Sequence, residues 1–333
     1  MKTYRFAIIY SIASILIAGI LGFSETAELM GLVTGILVAC SLGVTETSMS
    51  MDNSIVNAPL VRDLTPFWKK NYLLFGMPVA VIGMRFCIPV VFVGLASGLG
   101  FYGALHLAFS DPTAYSEHLS NSKFLIVGFG STFLALLGSD FFFDAEKETH
   151  WVFLEKYFSK LGNIPGIKYM VSGVIALVGG FLVSTNIGMC VKYELAALIG
   201  IISFIFIKTI GHFAEKLNRP GIGGLVKFIQ IEIIDASFSF DGVISAFAIT
   251  SDIIQIAIGL GIGAVWVRTF TKMMSESKEF AELPYLGSGA FWNVTALIPL
   301  MIIGVRCDVP EWIPGLAAVL IIGKSYYDSK KAI

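Results

Sequence analysis

Two stretches of this chain place carboxylates and hydroxyls at matched spacing inside apolar sequence. Residues 45–61 read TETSMSMDNSIVNAPLV, and residues 234–250 read IDASFSFDGVISAFAIT. Aligned without gaps, Glu46 matches Asp235, Ser48 matches Ser237, Ser50 matches Ser239 and Asp52 matches Asp241. The repeated acid-x-Ser-x-Ser-x-Asp pattern marks an internal duplication, because a motif kept only for packing would need small residues rather than acids. Glu232 adds a further acid to the second copy. An arginine follows each copy one apolar segment later, Arg85 after the first and Arg268 after the second.

The chemistry these groups could do follows from their surroundings. An ionisable side chain at the centre of a bilayer helix costs at least about 2.5 kcal/mol. Glu46, Asp52, Glu232, Asp235 and Asp241 must therefore face a protein interior or a wet cavity. Two guanidiniums can neutralise two of these five acids, and the rest are available to a cation or to protons. The candidate ligands are carboxylates, hydroxyls and the Asn53 amide, and no histidine lies inside an apolar segment. Hard oxygen ligands suit Mn²⁺, Ca²⁺ or Mg²⁺ and argue against Cu⁺ or a thiolate zinc site. The four cysteines are scattered without paired spacing and read as packing residues.

The elements that must position these groups are membrane helices. The 333 residues are 56% hydrophobic and 14% charged, with a mean hydropathy of +0.79, where soluble domains carry about 25% charged residues. Long apolar runs predict about ten transmembrane helices, at roughly 5–23, 28–58, 71–99, 123–143, 167–187, 193–211, 222–250, 252–270, 285–305 and 312–323. Lys and Arg concentrate on one side, with Lys123, Lys192 and Arg306 on the other, which predicts cytoplasmic N- and C-termini. The first span reads as a retained helix rather than a cleaved signal. The two motifs lie five spans apart, so they run in opposite directions. The expected fold is an all-α polytopic membrane protein, a single domain over 1–333. It is built as an inverted-topology repeat, 1–190 against 191–333, the arrangement in which transporters hold a midplane site. Two patterns compete inside the motifs. Glu46, Ser50 and Asn53 share a helical face, whereas Ser-Met-Ser-Met-Asp and Ser-Phe-Ser-Phe-Asp alternate with period two. The alternation predicts a broken, unwound helix at both copies, eased by Gly43, Pro59 and Gly242. The 144–166 loop is amphipathic and reads as a solvated interfacial helix.

Both motifs resemble those of the TerC-like membrane proteins, named for tellurium resistance, within a wider superfamily of lysine-exporter type. The first matches the Glu-x3-Ser-x-Asp-Asn signature at Glu46, Ser50, Asp52 and Asn53. The second matches Glu-x2-Asp-x2-Phe-x2-Asp at Glu232, Asp235, Phe238 and Asp241. Gly242 departs from the usual small hydroxyl residue. The resemblance is closest to a branch of unknown function and implies divalent metal handling, manganese efflux above all, with these acids as the site.

The resulting expectation is a transporter of the bacterial-type inner membrane that exports a divalent cation, Mn²⁺ first and Ca²⁺ second. Glu46, Asp52, Asp235 and Asp241 bind the ion, helped by Ser50, Asn53 and Ser239. Glu232, Arg85, Arg268, Ser48 and Ser237 tune charge or couple protons. No resident cofactor, no catalytic residue and no nucleic acid is expected, and the partners are the bilayer, the metal ion and a further copy of the chain. Two alternatives stay open. One is an exporter of a small organic solute or a tellurium-resistance component, and the other is a membrane scaffold for stress-response proteins. An intramembrane aspartyl enzyme is disfavoured by the sequence around Asp52 and Asp241.

Overall fold

The computed structural model describes residues 2–147, 149–216, 220–250, 252–307, 309 and 312–333. Within helices, some side chains lie outside the described set, among them those of Met49, Asp52 and residues 236–241. The described residues are helical and include no strand. From the N-terminus, α1 (Lys2–Thr26) is followed by α2 (Leu29–Met49) and α3 (Met51–Arg62). A continuous rod comes next, made of α4 (Pro66–Pro78), a π-helical segment (Val79–Cys87) and α5 (Ile88–Ser97). Then come α6 (Gly100–Ser110), α7 (Pro112–Phe142), the short α8 (Phe153–Leu161), α9 (Ile167–Val183), α10 (Ile187–Lys216) and α11 (Pro220–Ile249). The chain closes with α12 (Ile253–Glu276), α13 (Lys278–Ala281), α14 (Leu286–Ile303) and α15 (Trp312–Ala332).

Each of the ten apolar runs read from the sequence is helical. Among the described residues, seven helical stretches are long and apolar enough to cross a membrane: Tyr4–Ser24, Leu29–Ser48, Pro66–Ser97, Pro112–Phe142, Ile187–Phe213, Ile253–Glu276 and Leu286–Ile303. Helix α9 is apolar but shorter. An all-α polytopic membrane protein is thus what the sequence folds into.

Burial identifies the two axes of the bundle. The apolar stretch of α7 is 83% buried and that of α12 is 72% buried, against 28% for those of α1 and α10. Helices α9, α10 and α14 gather around α7, while α1, α2 and α3 gather around α12. Helix α11 bridges the two groups, touching α7 and α10 on one side and α2, α3 and α12 on the other. Small residues let backbones meet, since lipid supplies no hydrophobic drive between helices. A Cβ on Gly31 of α2 would overlap the Gly22 carbonyl of α1. The lipid-facing surfaces keep large apolar side chains, such as Ile9, Ile20, Phe181 and Phe206, exposed outside the bundle.

Candidate functional site

The first motif sits at a break. Helix α2 ends at Met49, Ser50 takes φ −98° and ψ 14°, and α3 restarts at Met51. Hydroxyls compete with the helix ladder just before the break: Thr47 Oγ1 donates to the Gly43 carbonyl at 2.7 Å and Ser48 Oγ to the Val44 carbonyl at 2.8 Å. Pro59 then interrupts the ladder within α3. The interruption is a one-residue kink rather than an unwound stretch. Side chains follow helical spacing across it, so Ser50 Oγ reaches Glu46 Oε1 at 2.9 Å.

The second motif is not broken; α11 runs as one helix through 220–249. Sequence explains the difference. Alanines 236 and 248 stand where the first copy has Thr47 and Pro59, and alanine is the strongest helix former. The alternation of Ser and Phe did not override that local preference.

Each arginine lies on the helix that follows its own motif and reaches back to that motif's acids. Glu46, 1% exposed, pairs with Arg85. Arg85 also donates from Nη1 to the Ala80 carbonyl at 3.0 Å, inside the π-helical segment. Arg268, 1% exposed, is the largest fully buried side chain among the described residues. Its Nη2 donates to Glu232 Oε2 at 2.5 Å and to Asp235 Oδ2 at 3.1 Å. The guanidinium lies over the Tyr72 ring, 5.1 Å from its centroid.

The two copies meet. Asn57 of α3 donates from Nδ2 to Asp235 Oδ1 of α11 at 2.5 Å. Ser54, also on α3, donates to the Val267 carbonyl of α12 at 2.9 Å. Bare backbone makes room at the junction. A Cβ on Gly263 would overlap the Glu46 side chain, and one on Gly76 would overlap the Arg268 guanidinium. Gly242 faces Glu46 Oε2. A larger residue there would push against this carboxylate.

Of the sequence-predicted residues, Glu46, Ser50, Arg85, Glu232, Asp235 and Arg268 are joined by direct bonds within each copy, and Asn53 is buried on the same face of α3. Ser48 does not join them; it is exposed and bonded to its own helix. The side chains of Asp52, Ser237, Ser239 and Asp241 lie outside the described residues. Glu232 is a direct partner of Arg268 rather than a more distant neighbour. Sequence reasoning missed Ser54 and Asn57. Positions 46, 50, 53 and 57 continue one helical series, so carrying that spacing one step further would have found Asn57.

The described part of the cluster holds three carboxylates and two guanidiniums. Among the described residues, nothing donates a hydrogen bond to the buried Glu46 Oε2, Glu232 Oε1 and Asn57 Oδ1, and nothing accepts one from Arg85 Nε or from Arg268 Nε and Nη1. Buried oxygen acceptors left in this way favour a proton, water or a cation. Among the described residues, no three His, Cys, Asp or Glu side chains are gathered as a metal ligand set. The described carboxylates are instead engaged by the arginines.

A further buried acid lies outside this cluster, in the region between α7 and α9. Glu155, 0% exposed, accepts from Lys147 Nζ at 2.7 Å, Trp292 Nε1 at 2.8 Å and Ser288 Oγ at 3.1 Å. Burial alone would raise its carboxyl. The donors outweigh that and hold it below the usual carboxylate range. Burial pulls the Lys147 ammonium below its ordinary value despite the pair. The two shifts have opposite consequences for stability. That of Glu155 governs, because Trp292 and Ser288 hold the carboxylate in addition to Lys147. The loop is therefore clipped to α14 rather than freely solvated.

The chain belongs to the family described as Protein of unknown function (DUF475), whose profile matches residues 51–332. The match takes in the whole second motif and begins just after Ser50 in the first. No curated protein and no solved structure matches the chain.

Proposed function

We propose that this DUF475 family member is a transporter that moves a divalent cation, Mn²⁺ first, out of the cell through the cluster where the two motifs meet. The observation that carries this reading is the charge of that cluster. Among the described residues, two buried carboxylates and the part-buried Asp235 face two guanidiniums, and three buried oxygen acceptors have no described donor. A buried site with excess negative charge favours a cation and disfavours an anion. The resemblance of both motifs to those of TerC-like proteins points the same way.

The geometry suggests how the site would work. Arg85 balances Glu46 when no ion is present. Its bond to the Ala80 carbonyl gives it a partner if a cation takes Glu46. Glu46, Ser50, Asn53 and Asn57 then offer oxygens from one side, and Asp235 offers them from the other. Asp52, Asp241 and Ser239 complete the proposed set, with Glu232 exchanging a proton as the ion comes and goes. The break at Ser50 and the π-helical segment are the elements whose backbone can rearrange. The proposed location is the inner membrane, with both termini in the cytoplasm.

The test is metal content by mass spectrometry in cells lacking or overproducing the protein, grown with added Mn²⁺. Overproduction is expected to lower cellular manganese several-fold, with Glu46→Gln and Asp235→Asn losing the effect at equal expression. Unchanged levels of every divalent metal would remove the metal reading and favour an organic solute.

A further inference from the structure

Helix α8 has an outward face for which the buried cluster gives no reason. Its exposed positions are 153, 154, 156, 157, 160 and 161, one side of a helix. The apolar members are large and open: Phe153 is 71% exposed, Leu154 46%, Tyr157 49% and Leu161 41%. The two charged members, Lys156 and Lys160, are both basic. The one acid of α8, Glu155, is turned fully inward and clipped to Lys147, Ser288 and Trp292. The helix is thus fixed to the bundle by its charged inner side, leaving an outer face that is apolar and cationic only.

The end of α15 repeats this composition beside it. Trp151, just before α8, donates from Nε1 to Asp328 Oδ2 at 2.8 Å and ties the two together. Next to Asp328, Tyr326 and Tyr327 are exposed, with Lys330 and Lys331 placed over their rings. Aromatic and basic side chains at the ends of membrane helices mark the headgroup level of a bilayer. An apolar stripe flanked by lysines is the composition of a helix lying in that plane.

We propose that α8, with the adjoining end of α15, docks on the membrane surface and binds anionic lipid headgroups through Lys156 and Lys160. Phe153, Leu154, Tyr157 and Leu161 enter the boundary between headgroup and acyl chain. Glu155 keeps the helix in the orientation that presents them. The proposal is independent of what the buried cluster carries.

The test is amide hydrogen exchange on the full chain in nanodiscs of phosphatidylcholine alone or with phosphatidylglycerol. Residues 153–161 are expected to exchange several-fold more slowly in the anionic discs. The difference should vanish in K156Q/K160Q and persist in K156R/K160R. Equal protection in both lipid compositions would overturn the headgroup assignment. Fast exchange in both would overturn docking on lipid altogether and point to a protein partner for this face. A K156Q/K160Q variant that keeps the wild-type lipid dependence would also overturn the role of the two lysines.

Discussion

The two halves of the buried cluster use the same parts with different tension. In the first copy, among the described residues, one arginine meets one acid, the helix is kinked at Ser50, and Arg85 keeps a second bond to backbone within a π-helical segment. In the second copy one arginine meets two acids on an unbroken helix, and Arg268 is fully enclosed over Tyr72. The first arrangement has a backbone carbonyl as the arginine's second partner and an irregular backbone, where the second has a second acid and a regular helix. The two motifs share residue types, and local helix propensity distinguishes a kinked first motif from an unbroken second one.

The largest test of this contrast removes the arginines. Arg268→Met strands the buried Glu232 and the part-buried Asp235, and breaking a buried pair costs about 3–5 kcal/mol, with this variant at the upper end. Arg85→Met strands one described acid, Glu46, and should cost about 3 kcal/mol, at the lower end of that range. Thermal unfolding of the purified proteins in detergent should rank them in that order, and the reverse order would remove the distinction between the halves. The double variant E46Q/R85M should recover part of what Arg85→Met loses, since the uncompensated charge goes with its partner.

Steric tests come next. Gly76→Ala and Gly263→Ala each force a methyl group against Arg268 or Glu46, an overpacking penalty of about 1–3 kcal/mol. The loss should be larger at Gly76, where the guanidinium is enclosed, and thermal unfolding reads this directly. Ser50→Ala removes a single hydrogen bond to Glu46, worth about 1 kcal/mol. Its effect on stability should be the smallest of the set.

A comparison outside the cluster concerns pH. The Glu155 carboxyl is held below its usual range, so it contributes stability above its unfolded pKa and loses it as pH falls through the lower folded value. Glu155→Gln should flatten the acid limb of the stability profile between those two points. An unchanged acid limb would show that the clip to α14 does not govern it.

Much of this was legible in the sequence. The apolar runs gave the helices, and the repeated motif with its trailing arginines identified residues that do pair: Glu46 with Arg85, and Glu232 and Asp235 with Arg268. Two things were not legible. Period-two alternation suggested unwinding in both copies, but alanines at 236 and 248 keep α11 helical, and only the Thr47 and Pro59 side of the duplication kinks. Glu155 looked like one charge in a solvated amphipathic helix. Its burial depends on Ser288 and Trp292, more than 130 residues away, and local sequence carries no trace of such a contact.

The π-helical segment also sets a register. Its wider turn accommodates residues that a regular α-helix between Pro78 and Ile88 would distribute differently. Each residue of an α-helix turns the chain by about 100°. Inserting one residue between Gly83 and Arg85 would therefore swing Arg85 away from Glu46 with no change in the composition of the site, whereas a deletion is taken up as the wide turn returns to α-helix. For this protein, an insertion in that short window is predicted to be as damaging as losing the arginine itself, although the window contains no charged residue before position 85.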